Sequence, residues 1–407
     1  MTFPLIIIQL PEQFQELIIE TFATTRYWAE IDLDNLLFNF QSIQKKVPLL
    51  KLLTVLKADG YGQGSVQIAK TLEEAGSDYF AVALPEEALQ LRRNGISSPI
   101  LILGMIAPEW IPLMLEHDIT ITIGDWDSAL QYVSVIPEEK TLNIHICLDT
   151  GMNRIGLNPE NAVEQIRKLA DFPAFEIEGI WTHFPAADDL NEQEFTRKQI
   201  STFHSIIHQL EQLDIHIPWR HYANSDAIAC FPPELLDGTN MARPGIILYG
   251  TINYSSYGLE ARPVTALRAR IMKIHPVRKG ESVSYARTWY AQRDSLIATI
   301  GIGYGDGLPR ALSNKISCLV HGQKIPQVGR ISMDQMMLDV TDIPQVTRGD
   351  IATLVGTDGD ETISVKDISS LLGTGSSEFL SQLGKRIPRV YYRNSKCIHS
   401  TSYLDHL

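Results

Sequence analysis

Lys57 is the residue of this chain best placed to do covalent chemistry. It follows the apolar pair Val55-Leu56 and is followed by the glycine-rich stretch Ala58-Asp59-Gly60-Tyr61-Gly62. A lysine at the rim of a buried element loses its proton more easily than a solvated one, and its neutral amine can attack an aldehyde. Taken alone, the pattern is more typical of a strand-end lysine that reaches water, because most lysines are exposed.

The segment around Lys57 resembles the cofactor-lysine motif of the alanine racemases, which are fold-type III pyridoxal phosphate enzymes. The usual motif is Val-Lys-Ala-x-Ala/Gly-Tyr-Gly-His-Gly, and Gln63 stands where the histidine is usual. Further motifs follow in the family order between about Tyr27 and Arg393. The resemblance implies that Lys57 binds pyridoxal phosphate and that the enzyme interconverts L- and D-alanine.

A phosphate group at the mouth of a barrel requires backbone N–H groups and hydroxyls, which late loops supply. Asn224-Ser225 and Gly245-Ile246 meet that requirement. The resemblance implies that they bind the cofactor phosphate together with Tyr61, whereas Asn224-Ser225 alone is more typical of an ordinary turn.

His183 and Arg243 resemble the family residues beside the pyridine ring. A lone histidine in an apolar run such as Trp181-Thr182-His183 is more often a core residue. The resemblance places Arg243 against the pyridine nitrogen, with His221 orienting it. A guanidinium only donates hydrogen bonds, so the nitrogen should stay unprotonated and the ring should be a weaker electron sink.

Racemisation requires one base on each face of the α-carbon. Lys57 supplies one, and Tyr285 in Ser284-Tyr285-Ala286 resembles the second, which in this family comes from the partner subunit. The resemblance therefore implies a homodimer with shared active sites. A phenol is a poor base at neutral pH, so cationic neighbours should be needed. From the sequence alone, a packed strand tyrosine is an equal alternative.

Other residues resemble the family's substrate-binding and entrance positions. The carboxylate would be bound by Arg154 and by the backbone amide of Met333. The supporting and entrance positions are Asp188, Tyr304, Asp306, Arg310, Arg330, Ser332 and Asp334. The alternative for Gly303–Gly307 is an ordinary glycine-rich β-turn.

Two departures from the family pattern bear on the site. Cys147 stands where many members carry a carbamylated lysine, so Arg154 must be braced by an anion, water or another side chain; Cys147 itself is most simply a small buried residue. In Gly373-Thr374-Gly375-Ser376-Ser377-Glu378, Gly375 and Ser377 replace the usual isoleucine and tyrosine. Losing that tyrosine removes a phosphate donor and should widen the entrance.

The elements that position these residues alternate between β-rich runs and helical stretches, which predicts a (β/α)₈ barrel with its chemistry at the carboxyl ends of the strands. An open doubly wound sheet is the alternative. The helical stretches are Ser65–Ala75, Pro159–Ala170 and Arg197–Leu213. The predicted strands are Leu52–Leu56, Tyr79–Leu84, Ile100–Leu103, Ile119–Ile123, Ile144–Leu148, Ile177–Thr182, His221–Ala223 and Ile246–Tyr249.

After Tyr249 the pattern becomes alternating strands and turns, which predicts a second, mostly β domain. Its predicted strands are Leu267–Ile274, Ser295–Ile302, Ile316–Val320, Met336–Val340 and Ile351–Val355. We expect an N-terminal extension over residues 1–24, the barrel over 25–260, the β domain over 261–395 and a tail over 396–407. The resemblance implies that the strand Tyr27–Ile31 joins the β domain.

The composition is that of a globular enzyme: 407 residues, 44% hydrophobic and 20% charged, with a net charge of −13. The negative charge argues against nucleic-acid binding. The apolar run Pro4–Leu10 is too short for a membrane span and lacks a basic segment, so we expect a cytoplasmic protein, and the family resemblance implies a bacterial one. The four cysteines are scattered, which argues against disulfides and a metal site.

We therefore expect an alanine racemase that supplies D-alanine for peptidoglycan. A serine or broad-specificity racemase is the alternative within the same chemistry. A fold-type III decarboxylase or a metal-dependent D-amino-acid aldolase would share the barrel lysine, but no metal-ligand cluster supports the latter. A pyridoxal phosphate carrier resembles a barrel alone, and the second domain argues against it.

Overall fold

A computed structural model describes residues 25–251 and 254–402; the expected extension over residues 1–24 lies outside the described residues. The chain divides into two compact units. One comprises Asn35–Arg262, and the other contains the described residues up to Asp34 and from Pro263 onward. The first strand, β1 (Tyr27–Asp32), pairs with strands of the second unit.

Eight parallel strands build the first unit and close on themselves. The last of them pairs with the first, and a bridge from Ala223 to Ala242 closes the remaining gap. The (β/α)₈ barrel is thus confirmed. The strands are β2 (Lys51–Val55), β3 (Tyr79–Val82), β4 (Ile100–Ile102), β5 (Ile119–Ile123), β6 (Leu142–Cys147), β7 (Phe175–Trp181), β8 (Trp219–His221) and β9 (Met241–Ala242).

The prediction of the eighth strand was wrong. Ile246–Tyr249 forms a 3₁₀ turn, and the strand is the preceding pair Met241–Ala242. Two residues carry no periodicity, and Pro244-Gly245 separates them from the apolar run that drew the prediction. Pairing with β2 and Ala223, rather than local propensity, determines this strand.

Helices follow most of the barrel strands. Pro159–Ala170 shows why such a segment is helical: Asn158 caps it by accepting from the Glu160 amide, proline occupies the first turn, and Ala162, Ile166 and Leu169 bury one face. The helices of the first unit, in chain order α1 to α8, are Leu33–Lys46, Ser65–Glu74, Pro85–Arg93, Ile111–Glu116, Trp126–Val133, Pro159–Ala170, Gln193–Gln212 and Ser225–Cys230.

The second unit is built on a ten-stranded sheet, which confirms the mostly β character. Its strands are β10 (Thr265–Val277), β13 (Ser295–Ile300), β14 (Ser317–Val320), β15 (Gln323–Val328), β16 (Met336–Asp339), β17 (Ile351–Asp358), β18 (Glu361–Ile363), β19 (Arg389–Arg393) and β20 (Lys396–Ser400), together with β1. A separate hairpin pairs β11 (Ser282–Val283) with β12 (Trp289–Tyr290). Two helices follow β18, α9 (Val365–Leu372) and α10 (Ser376–Ser381).

Six strands of this sheet form a closed antiparallel ring in the order β17-β14-β15-β16-β13-β10, because β10 also pairs with β17. Outside the ring, β1 lies between β10 and β19. The expected tail begins with β20, which pairs with β19, while residues 403–407 lie outside the described residues. Over residues 25–251 and 254–402, no helix has the length and apolarity to cross a membrane.

Candidate active site

A left-handed turn presents Lys57 at the carboxyl end of β2. The turn spans Lys57–Gly62, and its residues Ala58 to Tyr61 have φ between 53° and 62°. Left-handed backbone costs about 1–2 kcal/mol per non-glycine residue, and strain of this kind concentrates at functional sites. The Gly60 amide closes the turn on the Leu56 carbonyl at 2.7 Å. The turn therefore places Tyr61 close to the end of β2.

Glu87 braces this turn from the neighbouring helix α3. One carboxylate oxygen accepts from the Ala58 amide at 2.6 Å, and the other accepts from the Ala83 amide at 2.8 Å. Because both oxygens are occupied by backbone donors, Glu87 ties the loop after β2 to the loop after β3. Sequence reasoning missed Glu87, whose position in a helix first turn gives no sign of this role.

The Lys57 amine lies in an environment that favours its neutral form. Burial lowers its pKa below the ordinary lysine value, and the guanidinium groups of Arg154 and Arg243 lower it further. Glu87 opposes them with its negative charge. A lysine with this balance is suited to act as a nucleophile and as a proton acceptor.

The residues expected to bind phosphate lie together at the same end of the barrel. Ser225 Oγ accepts from the Gly245 amide at 3.0 Å and from the Ile247 amide at 3.4 Å. A Cβ on Gly245 would lie 2.5 Å from the Tyr61 hydroxyl, so only glycine fits there. Burial raises the pKa of Tyr61, which keeps its phenol protonated as a donor. The amide of Ile246 has no partner among the described residues.

The side chain of Asn224 has a structural task. Its Oδ1 accepts from the Ala227 amide at 3.0 Å and caps helix α8 (Ser225–Cys230). Asn224 therefore fixes the position of Ser225, whose hydroxyl lies against the backbone amides of Gly245 and Ile247.

Arg243 is buried and surrounded by acceptors. Its Nη1 donates to the His221 carbonyl at 2.6 Å and contacts His221 Nδ1 at 3.0 Å, while its Nη2 donates to the Thr182 carbonyl at 2.7 Å and contacts His183 Nδ1 at 3.2 Å. Its guanidinium also lies over the Trp181 ring. Four N–H groups are thus occupied, and the Nε–H has no partner among the described residues.

Both histidines beside Arg243 are neutral. Burial lowers the pKa of His183 to about 3, with Arg243 contributing, and it lowers the pKa of His221 well below the ordinary value. A neutral imidazole facing a guanidinium accepts a hydrogen bond from it. His183 and His221 therefore both lie against Arg243.

Cys147 and Arg154 do not form a bridge. The buried Cys147 thiol contacts the Ile155 carbonyl at 3.4 Å, and burial raises its pKa to about 12, so it stays uncharged. The exposed side chain of Arg154 makes no hydrogen bond or ion pair with any described residue. Both nevertheless border one small cavity with Trp181 and His183.

The second unit presents Tyr285 on a strained turn. Tyr285 is 67% exposed, and φ is positive at Ser284, Ala286 and Arg287. The Ser284 hydroxyl donates to the Arg330 carbonyl at 2.6 Å. A Cβ on Gly329 would lie 2.6 Å from the Val283 carbonyl, so a glycine is required for this close approach. The phenol is therefore held outward rather than packed in a strand.

The two backbone groups of Met333 differ in their contacts. Its carbonyl accepts from the Gly305 amide at 2.8 Å, whereas its own N–H has no partner among the described residues. The carbonyl of Ser332 accepts from the Tyr304 amide at 3.0 Å. These contacts join the Met333 loop to the glycine-rich loop, on which Tyr304 is exposed.

Asp306 differs from the expectation of an entrance residue. It is fully buried and accepts from the Tyr27 hydroxyl at 2.8 Å and from the Gly303 amide at 3.0 Å. Arg386, which sequence reasoning missed, forms ion pairs with Asp306 at 3.3 Å and with Asp334 at 2.7 Å. Asp306 and Asp334 are therefore joined within the second unit through Arg386.

The remaining predicted residues are less constrained. Asp188 is exposed in the loop after β7. Burial, together with the negative charge of Asp188, raises the pKa of Asp226 to about 6. Asp188 therefore lies near helix α8, which contains Asp226. Arg310 is exposed in the second unit. Ser377 is half-buried in the first turn of helix α10, and Gly375 is its N-cap.

Comparison with known proteins decides the family. Residues 31–253 match the family model of the alanine racemase N-terminal domain, and residues 264–391 match that of the C-terminal domain. The chain belongs to the alanine racemase family. It is 40% identical over 372 residues to the alanine racemase of Halothermothrix orenii, and the alignment covers 89% of this chain and 96% of that protein.

Solved structures agree with this assignment. The alanine racemase of Clostridium difficile 630 superposes with a TM-score of 0.88 at 35% identity, covering 94% of this chain and 99% of that one. The histidine racemase of Leuconostoc mesenteroides subsp. sake NBRC 102480 has a TM-score of 0.82 at 29% identity, covering 90% and 98%. Membership in the alanine racemase family makes this chain an isomerase acting on amino acids.

Proposed function

We propose that this enzyme interconverts L- and D-alanine with pyridoxal phosphate by a two-base mechanism that uses Lys57 and Tyr285. The observation that carries the proposal is the arrangement around Arg243. Its Nε–H is the guanidinium donor left without a partner among the described residues, in a barrel mouth that also holds a low-pKa lysine.

The residues present fit the cofactor. The absence of a side chain at Gly245 lets the Tyr61 hydroxyl lie close to the backbone of this loop, whose Gly245 amide donates to the Ser225 hydroxyl. These groups, with the Ile246 amide, would bind the phosphate; Arg243 and His183 would contact the pyridine ring. When bound, pyridoxal phosphate withdraws electrons from the α-carbon and so makes its proton removable.

The chain's own groups then supply the proton transfers. The neutral Lys57 amine accepts the α-proton on one face, and the Tyr285 phenol returns a proton from the other. Arg154 and the Met333 amide would bind the substrate carboxylate. Because Arg243 donates and stays charged, it limits the electron demand of the ring and disfavours side reactions that need a longer-lived carbanion.

We further propose that the active form is a cytoplasmic homodimer in which Tyr285 comes from the partner subunit, and that its product serves peptidoglycan synthesis. The exposed, strained turn that carries Tyr285 supports a role in a shared site, since an outward phenol is available to another surface.

Racemisation of L-alanine by the purified protein with added cofactor, followed by chiral chromatography, tests the proposal. We expect rapid D-alanine formation by the wild type. Lys57→Ala should abolish it, and Tyr285→Phe should reduce it by at least about a hundredfold, as for loss of a catalytic acid–base group. Release of an amine by decarboxylation instead would place the enzyme in another reaction class.

A second candidate function is a racemase that accepts larger side chains. Gly375 and Ser377 leave the N-cap and the second residue of helix α10 without a large side chain, and a protein named as a histidine racemase shares the fold. A tyrosine at position 377 would add roughly 150–250 Å² of side-chain surface.

The variant Ser377→Tyr tests this candidate against Ser370→Tyr, a control on helix α9 that precedes the motif. If the gap at position 377 admits serine, Ser377→Tyr should lower kcat/KM for L-serine by about tenfold relative to L-alanine, while the control should not change the ratio. Strict preference for alanine by the wild type would contradict the candidate.

A further inference from the structure

A buried histidine that the proposed mechanism does not use lies behind Arg243. His145 is on β6, is completely buried, and its Nδ1 lies 2.8 Å from His221 Nε2. The other nitrogen of His221 contacts Arg243 at 3.0 Å. The three side chains therefore form a continuous row from the barrel mouth into its interior.

The donors and acceptors of this row have one consistent direction. Arg243 can only donate, so His221 Nδ1 must accept. A neutral His221 then carries its hydrogen on Nε2 and donates it to His145 Nδ1. The hydrogen of a neutral His145 is consequently on Nε2, which has no partner among the described residues. Burial and Arg243 lower the pKa of His145 to about 3, so both imidazoles stay neutral.

The barrel makes room for His145 at a specific point. Gly179 on β7 is the direct strand partner of His145, and a Cβ at position 179 would lie 2.4 Å from the His145 Nδ1 atom. A side chain on β7 would therefore exclude the imidazole. The Trp181 ring stacks on His221, with an angle of 18° between the planes. These two contacts fix the plane of His221 between Arg243 and His145.

We propose that His145 is a positioning residue for Arg243: as the last acceptor in the row Arg243, His221, His145, it holds His221 as its Nε2–H tautomer and so keeps the arginine Nε–H directed at the ring-binding position. This inference rests on the proposed function, because the arginine acts on the bound pyridine. It assigns His145 no contact with substrate or cofactor.

Two substitutions of His145 distinguish the effect of its hydrogen-bond acceptor from the effect of its size. An asparagine carbonyl can occupy the place of the imidazole Nδ1 and accept, whereas leucine fills similar space and accepts nothing. The comparison is thus His145→Asn against His145→Leu. Tyr79→Phe is the control, since the Tyr79 ring lies 5.8 Å from the His145 ring and its hydroxyl instead contacts Thr120.

The first measurement uses cofactor-free protein labelled with ¹⁵N-histidine, in which two-bond correlations distinguish protonated from bare ring nitrogens. We expect bare Nδ1 and protonated Nε2 for His221 in the wild type, the His145→Asn variant and the control. His145→Leu should disturb this signature. A His221 with protonated Nδ1 in the wild type, or an unchanged signature in His145→Leu, would overturn the proposal.

The second measurement uses the cofactor-loaded enzyme. His145→Leu should lower kcat for alanine by about tenfold with little change in KM and shift the cofactor absorption band, and His145→Asn should restore most of both. Equal losses in the two variants would overturn the proposal in favour of simple packing. If the wild type racemises nothing, the proposed function fails, but the labelled cofactor-free protein still decides whether the row exists.

Discussion

At the scale of single residues, the charge next to Lys57 sets the pH at which its amine reacts. Arg154 and Arg243 lower the lysine pKa, and Glu87 is the group that raises it. Replacing Glu87 by glutamine removes the opposing charge, so the pKa should fall further. The amine then becomes neutral at a lower pH than in the wild type.

We therefore predict that Glu87→Gln shifts the pH dependence of cofactor capture toward lower pH. The measurement is the rate at which cofactor-free protein binds pyridoxal phosphate, followed by absorbance across pH. Glu86→Gln is the matched control, since Glu86 is the exposed neighbour in the same helix turn. A profile that moves to higher pH, or equally in both variants, would contradict the assignment of Glu87.

Residue types and spacing predicted many of the barrel residues of the candidate site. They did not predict the residues that orient those side chains. Lys57, Tyr61 and Ser225 lie at one end of the barrel because each follows a strand that a local pattern predicts, whereas the strand before Arg243 depends on its pairing with β2. His145 is different. It lies on the same face of β6 as Asn143 and Cys147, and only the absence of a side chain at Gly179 turns that position into a contact with His221.

At the scale of elements, the left-handed turn after β2 carries most of the unusual backbone of the site. Ala58 is exposed and has φ of 53°, so its Cβ contributes strain without contributing packing. The Ala58 amide donates to the Glu87 carboxylate, and this hydrogen bond stabilises the turn. Substitutions at position 58 can therefore change the backbone strain while keeping the hydrogen bond to Glu87.

We predict that Ala58→Gly leaves the free energy of unfolding unchanged or raises it by up to about 1 kcal/mol, because removing the Cβ strain outweighs the larger chain entropy of glycine. Ala58→Val should lower it by at least about 1 kcal/mol, because branching at Cβ makes left-handed backbone less accessible. Urea unfolding of the cofactor-free protein measures both. Loss of stability in the glycine variant comparable to that in the valine variant would show that the turn is not strained.

The elements that sequence reasoning found are those with long periodic patterns, and those it missed depend on distant pairing. Pro159–Ala170 was located to the residue because its cap, proline and apolar stripe are all local. β15 (Gln323–Val328) was missed because it is rich in polar residues and contains Pro326. Its place is set by β14 and β16 on either side.

At the scale of the whole molecule, the chain order separates the two groups that we propose to transfer protons. Lys57 belongs to the barrel unit, and Tyr285 belongs to the unit that contains β1 and the chain after Arg262. If each active site takes its lysine from one subunit and its tyrosine from the partner, two different inactive subunits can rebuild one intact site.

We predict that mixed dimers of Lys57→Ala and Tyr285→Phe regain activity. Random pairing makes about half of the dimers heterodimers. Each heterodimer should hold one site with both groups intact and one with neither, so heterodimers purified through both tags should show about half of the wild-type rate per protein. Subunits carrying different affinity tags are co-expressed, purified through both tags and assayed for D-alanine, with dimer mass checked by light scattering.

The matched control combines both substitutions in one subunit and pairs it with wild type. That heterodimer keeps no intact site if the groups come from opposite subunits, because each site then contains one substituted residue. It keeps one intact site if both groups come from the same subunit. The two mixtures therefore give opposite results under the two arrangements, and activity only in the control would assign Lys57 and Tyr285 to a single subunit.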